Sequence, residues 1–255
     1  MNSAIETAAL TRQFGNLCAV DGINIHVERG TFYGFLGPNG AGKSTTIKML
    51  TGLLAPTSGS MHVLGQDVSD PDRSIDVKKH IGVVPENLNL FDNLTAKEYL
   101  TFVGRMYLLP PQVIRERTGE LLSMMGLENE EKKLTLEYSH GMKKKLSLAA
   151  ALLPNPDLLF LDEPFEGVDA VASRVLRDLL KRVVERGATV FLTSHVLEIV
   201  EKLCTHVGII SKGKLVVEES LTQLKQGGSL EEAFLKAVGA EQLDQQKLSW
   251  LEGEA

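Results

Sequence analysis

Gly37-Pro38-Asn39-Gly40-Ala41-Gly42-Lys43-Ser44, followed by Thr45, fits the pattern G-x-x-x-x-G-K-[ST] at every fixed position. Glycines at these places let successive backbone N–H groups turn inward around phosphate oxygens with no side chain in the way. Lys43 supplies an ammonium to the β- and γ-phosphates, and Ser44 a hydroxyl for Mg²⁺. Asn39, Gly40, Gly42 and Thr45 complete the loop as nucleotide contacts. TFYGFL at 31–36 predicts a short buried strand entering the loop, and Lys43 to Leu54 predicts a helix leaving it. A helix N-terminus aimed at the phosphates adds its dipole and its unpaired N–H groups. The stretch implies that the chain grips a nucleoside triphosphate.

Composition sets the frame around that loop. With 255 residues and 43% hydrophobic content, the chain is long enough to bury a sizeable core. The longest apolar stretches, such as LSLAAALL at 146–153, stop short of the roughly 20 residues needed to span a bilayer, and Pro154 and Pro156 follow that one. MNSAIETAAL lacks a basic flank and a cleavable apolar core, so no secretory signal is expected. Two cysteines, Cys18 and Cys204, suit a reducing cytosol and offer no disulfide framework. A net charge of −6 argues against nucleic acid as a partner, which calls for a basic face. The six histidines show no metal-ligand spacing, and Cys204-x-His206 reads as packing.

Along the chain, the first thirty residues alternate in short runs with Gly15 and Gly22 as turn signals, which predicts antiparallel strands. After APTSGS (55–60) come a strand at MHVLG, a polar loop through Asp72 and a buried strand at IGVVP (81–85). From Asn93 to about Leu153 the periodicity is helical. Thr95-Ala96-Lys97-Glu98 is a capping box, and Tyr99, Leu100, Phe102, Val103, Met106 and Tyr107 follow at helical spacing. Strand and helix then alternate: DLLFLDEP (157–164), a helix over 170–186, ATVFLTSH (188–195), a helix over 196–203, and strands at VGII and KLVVEE. This pattern implies an α/β fold with a mainly parallel sheet covered on both faces. Ser229-Leu230-Glu231-Glu232 caps one more short helix, and QLDQQKLSWLEGEA reads as a weakly ordered tail. The expected division is a nucleotide-binding core over 1–92 and 156–220 with an antiparallel β subdomain, a helical subdomain over 93–155, and a C-terminal helix and tail over 221–255.

Leu158-Leu159-Phe160-Leu161 delivers Asp162 and Glu163 at a strand's C-terminal end, where ligands bind in open α/β sheets. Asp162 suits Mg²⁺ held through water, and Glu163 suits a general base for an attacking water. Between loop and carboxylates lies Tyr138-Ser139-His140-Gly141-Met142, opening a helix; beyond them lie Gly167-Val168-Asp169 and His195 at a strand end. This ordered set resembles the nucleotide-binding domain of ATP-binding cassette (ABC) transporters over about residues 5 to 220. The resemblance implies a P-loop NTPase (RecA-like) core, ATP with Mg²⁺, and ATP hydrolysis. It also implies two such domains packed head to tail, most simply as a homodimer, with each ATP held between the phosphate loop of one and the signature motif of the other.

Carried over by position, Phe14 is the aromatic that stacks on adenine, with packing in the strand segment as its rival reading. Glu86 stands where the family usually has a glutamine that senses Mg²⁺ and the attacking water. Ser139 and Gly141 are the signature residues reaching the partner's γ-phosphate, Asp169 the dimer-loop aspartate, which also suits a helix N-cap, and His195 the γ-phosphate switch. Two departures stand out. His140 and Met142 replace the usual glycine and glutamine of the signature, and Glu86 adds a negative charge near Glu163. Lys143-Lys144-Lys145 sits in the first turn of the next helix, where positive charge opposes the dipole; a nearby phosphate or a solvated face would account for it.

Tyr-Ser-x-Gly-Met, Pro85-Glu86 and Ser-Leu-Glu-Glu-Ala-Phe-Leu (229–235) together resemble bacterial exporter ATPases whose transmembrane permease is a separate chain. On that resemblance the chain is cytoplasmic, attached to the inner face of the membrane through its permease. Leu88 to Leu94 and the aromatic helix would receive the partner, although those aromatics also suit internal packing. Two other readings stay open to the sequence: a soluble ABC ATPase acting on DNA or ribosomes, and a nucleotide-switched regulatory subunit.

Overall fold

The computed structural model describes residues 3–239, the side chains of 71–73 apart. The chain opens with β1 (Ser3–Phe14), β2 (Leu17–Ile23) and β3 (His26–Glu28), and β4 (Phe32–Leu36) then leads through the phosphate loop into α1 (Lys43–Leu50). β5 (Ser58–Val63), β6 (Gln66–Asp67), α2 (Pro71–Lys78) and β7 (Ile81–Val84) follow. The helical stretch comprises α3 (Ala96–Met106), α4 (Pro111–Met124) and α5 (His140–Leu152). Next come β8 (Leu158–Asp162), α6 (Ala170–Glu185), β9 (Thr189–Ser194) and α7 (Leu197–Leu203). The described chain closes with β10 (His206–Ser211), β11 (Lys214–Ser220), α8 (Leu221–Gln226) and α9 (Leu230–Val238).

Among the described residues the strands form two sheets. β1 pairs antiparallel with β2 and β3, as the early alternation predicts, and also with β5, which in turn pairs with β6. The other sheet runs β11-β10-β4-β9-β8-β7, parallel except for the β10–β11 hairpin. That hairpin turns on Lys212 and Gly213, both at positive φ, the conformation a two-residue turn needs to match strand twist.

Side-chain alternation on the central strands creates two cores. Phe32 and Leu36 of β4, Leu159 and Leu161 of β8, and Val190 and Leu192 of β9 face α3 to α7 and α9. Tyr33, Phe35, Phe160 and Phe191 face the other way, onto α1 and the inner side of the antiparallel sheet. Phe191 is surrounded there by Tyr33, Phe35 and Phe160 at ring-centroid distances of 5.3, 5.3 and 5.7 Å. The parallel strands therefore read as unbroken apolar runs because both faces are buried. One of those faces is covered largely by β-sheet, and the helical stretch 93–155 shares the opposite core with β4, β8 and β9. Glu218 of β11 ties the two sheets together, accepting from the Tyr33 hydroxyl at 2.8 Å and from the His26 backbone N–H at 3.0 Å.

Several expectations are corrected. α1 ends at Leu50, not Leu54: Gly52 takes φ +67°, and the amides of Leu53 and Leu54 both fold back onto the Lys48 carbonyl. The polar stretch after residue 65 holds β6 and α2, which lack a strong apolar stripe to announce them. The helical stretch is three helices, with two short 3₁₀ turns in the connection from α4 to α5. α8, capped by Ser220, was not foreseen. The capping boxes at Thr95–Glu98 and Ser229–Glu232 both form. Residues 242–255, expected to be a tail, lie outside the described residues.

Candidate nucleotide site

The phosphate loop leaves β4 at the C-terminal edge of the parallel sheet, beside the ends of β8 and β9. Its glycines are required chiefly by the protein around them. A Cβ at Gly37 would lie 2.3 Å from the Ile210 carbonyl oxygen, and one at Gly42, where φ is +114°, would lie 2.5 Å from that of Ala19. Gly40, at φ +78°, meets no neighbouring atom and serves the turn alone. Lys43 is buried, and its ammonium donates to the carbonyls of Gly37 at 2.7 Å and Pro38 at 3.3 Å.

A cleft of about 380 Å³ opens over the loop, lined by Asn39, Gly40, Gly42, Lys43, Ser44 and Thr45. Phe14, Leu17 and Ala19 form its other wall, and Glu86, Glu163, Glu166 and His195 its far end. Phe14 is 45% exposed in that wall instead of packing inside the strand sheet. The Arg12 guanidinium lies 4.5 Å from its ring centroid and donates to the Ala55 carbonyl at 2.9 Å. Ser44 Oγ donates to Glu86 Oε2 at 3.2 Å.

Strands β8 and β9 place the acids. Asp162 is buried and accepts from Thr193 Oγ1 at 2.5 Å. The same hydroxyl accepts from the Glu163 backbone N–H at 3.1 Å. Glu163 takes φ +48°, a conformation L-residues avoid at a cost of about 1–2 kcal/mol. Its carboxylate is 9% exposed, with Oε2 3.1 Å from His195 Nδ1 and Oε1 3.9 Å from the Lys43 ammonium. Oε1 is buried without a hydrogen-bond partner.

Ser139, Gly141 and Asp169 do not line this cleft. Ser139 is exposed and caps α5, accepting from Met142 N–H at 3.3 Å. Asp169 is exposed and caps α6, accepting from Val171 and Ala172 N–H at 3.0 and 2.9 Å. Those N–H groups, with Lys145 nearby, hold its carboxyl below the usual aspartate range. The two segments adjoin: a Cβ at Gly141 would lie 3.3 Å from the Gly167 carbonyl oxygen, and one at Gly167 would strike the His140 ring.

Sequence reasoning missed Leu17, Ala19 and Glu166, which the fold alone brings to the cleft. It also misplaced Lys144, which is 1% exposed and donates to the Glu163 carbonyl at 2.8 Å, so for this member of the run neither a phosphate nor a solvated face is the explanation. Burial pulls its ammonium below the ordinary lysine value, against the upward pull of Glu166, Asp162, Glu163 and Glu86. Lys143 pairs with Asp92 at 3.6 Å.

The family model described as ABC transporter matches residues 20–166. A second model, described as AAA domain, putative AbiEii toxin, Type IV TA system, matches residues 134–201. The chain is 41% identical over 226 residues to the bacitracin transport ATP-binding protein BcrA of Bacillus licheniformis, a match covering 88% of this chain and 72% of that one. It is 39% identical over 223 residues to the daunorubicin/doxorubicin resistance ATP-binding protein DrrA of Streptomyces peucetius, covering 87% and 67%. A solved ATP-binding subunit of an ABC transporter superposes with a TM-score of 0.86 at 28% identity, over 92% of this chain and 99% of that one. The dimeric post-hydrolysis state of the cassette MJ0796, bound to ADP and Pi, superposes with a TM-score of 0.78 at 25% identity, over 85% and 98%. With its phosphate loop and acid-ended strands at one sheet edge and relatives matched along most of their length, the chain belongs to the ABC transporter family, as one of its ATP-binding, ATP-hydrolysing cassettes.

Proposed function

We propose that this cassette is the ATPase subunit of an exporter, driving a permease on a separate chain through ATP-dependent closure of a cassette dimer. The observation that carries the reading is the Glu163 carboxylate: a buried acid with one oxygen on His195, the other unpartnered, within 3.9 Å of Lys43. Such a group is placed to take a proton from water attacking a phosphate held by Lys43. In this reading Phe14 stacks on the adenine, and Asn39, Gly40, Gly42, Lys43, Ser44 and Thr45 cradle the phosphates. His195 holds the carboxylate and meets the γ-phosphate.

Ser44, Glu86 and Asp162 offer only oxygen atoms, which fits Mg²⁺. Among the described residues no three His, Cys, Asp or Glu side chains are grouped to hold a metal by themselves, so phosphate oxygens and water would complete its shell. When bound, the ion neutralises charge on the β- and γ-phosphates. Glu86 would act on its water shell as an acceptor where the family's amide also donates.

Ser139, Gly141 and Asp169 adjoin each other away from their own chain's cleft, which supports a sandwich in which a second copy supplies them. BcrA and DrrA, named for bacitracin transport and drug resistance, support the exporter class. The seat for the permease would be the exposed cluster of Phe91, Phe102 and Met106, with Phe91 edge-on to Phe102 at 5.2 Å. Tyr99, Val103 and Leu100 of the same stretch are turned into the core instead. On this reading the cassette lies at the cytoplasmic face of the membrane, held there by the permease. Among the described residues no helix is long and apolar enough to cross a membrane.

The test compares wild type with Glu163→Gln. We expect Mg²⁺-dependent phosphate release that falls by about 10²- to 10⁴-fold in the variant, while ATP drives the variant into a dimer detectable by light scattering. A multi-spanning protein should co-purify from gently solubilised membranes, and Phe102→Asp should release it. A variant that stays monomeric with ATP overturns the sandwich, and a cassette recovered without a membrane protein overturns the exporter reading.

A further inference from the structure

Four charged side chains are buried among the described residues: Lys43, Asp162, Glu163 and Lys144. The reaction uses the first three. An apolar side chain of equal length would fill the space Lys144 occupies without the cost of desolvating an ammonium, so what sets the lysine apart is the hydrogen bond it makes.

Its bond to the Glu163 carbonyl, 2.8 Å long, comes from a different element and a different stretch of sequence. The carbonyl's other partner is the Glu166 N–H, a longer contact of 3.3 Å within the turn itself. On the opposite side of the Glu163 Cα, the backbone N–H is held by Thr193 Oγ1 at 3.1 Å. The two peptide units flanking Glu163 are thus pinned independently, one from β9 and one from α5. Between them the residue keeps φ +48°, the kind of conformation that persists only where the surrounding structure holds it. That conformation is what turns the carboxylate toward His195 and Lys43.

We infer that Lys144 is a positioning residue for Glu163: through the carbonyl it holds the Glu163 peptide in its left-handed conformation, and so sets the place of the carboxylate. Because Ser139 caps α5 and Gly141 lies in its first turn, the same bond makes the position of the signature end of α5 part of the geometry at Glu163. The inference rests on the reading of Glu163 as the base.

The test is a double-mutant cycle in the full chain, with ATP turnover, KM and thermal midpoint measured for each variant. Lys144→Met, which keeps the stem and removes the donors, should lower kcat by about 10- to 10²-fold, as a misplacement on the ångström scale does, with KM for ATP changed less than about twofold. Lys144→Arg, which can reach the same carbonyl, should recover most of the loss. In a Glu163→Gln background, Lys144→Met should cost less than about threefold more, because the group it positions is already gone. Should the Met variant not fold, Lys144→Gln, which keeps a donor and drops the charge, enters the cycle in its place and should fall between wild type and the expected loss.

Unchanged kcat in Lys144→Met overturns the inference. So does an equal further loss in the Glu163→Gln background, or an Arg variant no better than Met with a lowered thermal midpoint, which would mark Lys144 as structural. Glu163→Gln hydrolysing ATP at the wild-type rate would instead overturn the assignment of the base, and is read without any Lys144 variant.

Discussion

His195 Nδ1 lies 3.1 Å from Glu163 Oε2, joining a residue just beyond β9 to one just beyond β8. The adjacent parallel strands end together, with Asp162 in register with Thr193, so the contact follows from sheet register. Replacing His195 with Ala removes the partner of a buried carboxylate oxygen while leaving the phosphate loop intact. We expect kcat to fall at least about 10-fold, within the range of a positioned acid–base partner or somewhat below it, with ATP affinity retained. Single-turnover hydrolysis set beside equilibrium nucleotide binding separates the two effects.

Phe14 lines the cleft, and the Arg12 guanidinium lies over its ring, 4.5 Å from the centroid. Stacking of a base on an aromatic ring contributes about 1–3 kcal/mol, so Phe14→Ala should raise the KM for ATP by roughly 5- to 100-fold and leave kcat at saturation unchanged. Phe14→Trp should restore binding. Steady-state titration with ATP checks both.

Glu218 of β11 accepts from the buried Tyr33 hydroxyl of β4 within the mainly parallel sheet, and from the His26 N–H of the antiparallel sheet. Burial and then the neighbouring Glu218 charge push the Tyr33 phenol well above its usual pKa, so the hydroxyl stays a donor. Glu218→Ala strands that donor in the core and should destabilise by about 1–3 kcal/mol, whereas Tyr33→Phe, which leaves the exposed carboxylate to water, should cost less. Urea unfolding of the two single variants and the double variant measures the pair.

Asp169 has its carboxyl pKa held down by the N–H groups it caps, Ala172 first and then Val171, and by Lys145. As pH falls, the unfolded chain takes up this proton before the folded one. The contribution to stability is therefore complete above the ordinary aspartate pKa of about 3.9 and is lost as pH drops through the lower folded value. Asp169→Asn keeps the cap but not the charge. Its thermal midpoint should sit below wild type at neutral pH and converge with it in acid.

Some of this was legible because the physics is local. Gly37 to Ser44 encodes a turn, a donor set and a helix start within one short segment, and the capping boxes at Thr95 and Ser229 close within four residues. β4, β8 and β9 read as buried strands because apolar runs of that length admit little else between turn signals. α2 and α8 were missed for the converse reason: they are short, α2 is largely polar, and neither carries an apolar face strong enough to stand out.

Phe14, Lys43, Glu163 and His195 were each nameable from motif order, but sequence alone says nothing of the distances among them. Parallel strand register brings the ends of β4, β8 and β9 to one edge and so sets His195 against Glu163. Lys144 shows the limit most plainly. As a letter in Lys143-Lys144-Lys145 it reads like its neighbours, because helical phase relative to a core is a property of how α5 lies on the sheet, not of the run itself. Once α5 packs, one lysine of the three turns inward onto a carbonyl from another stretch of chain, while its neighbour Lys143 faces Asp92. Local chemistry, carried in contiguous residues, determined what this protein binds; long-range packing, which no segment contains, decided how the acid that acts on it is held.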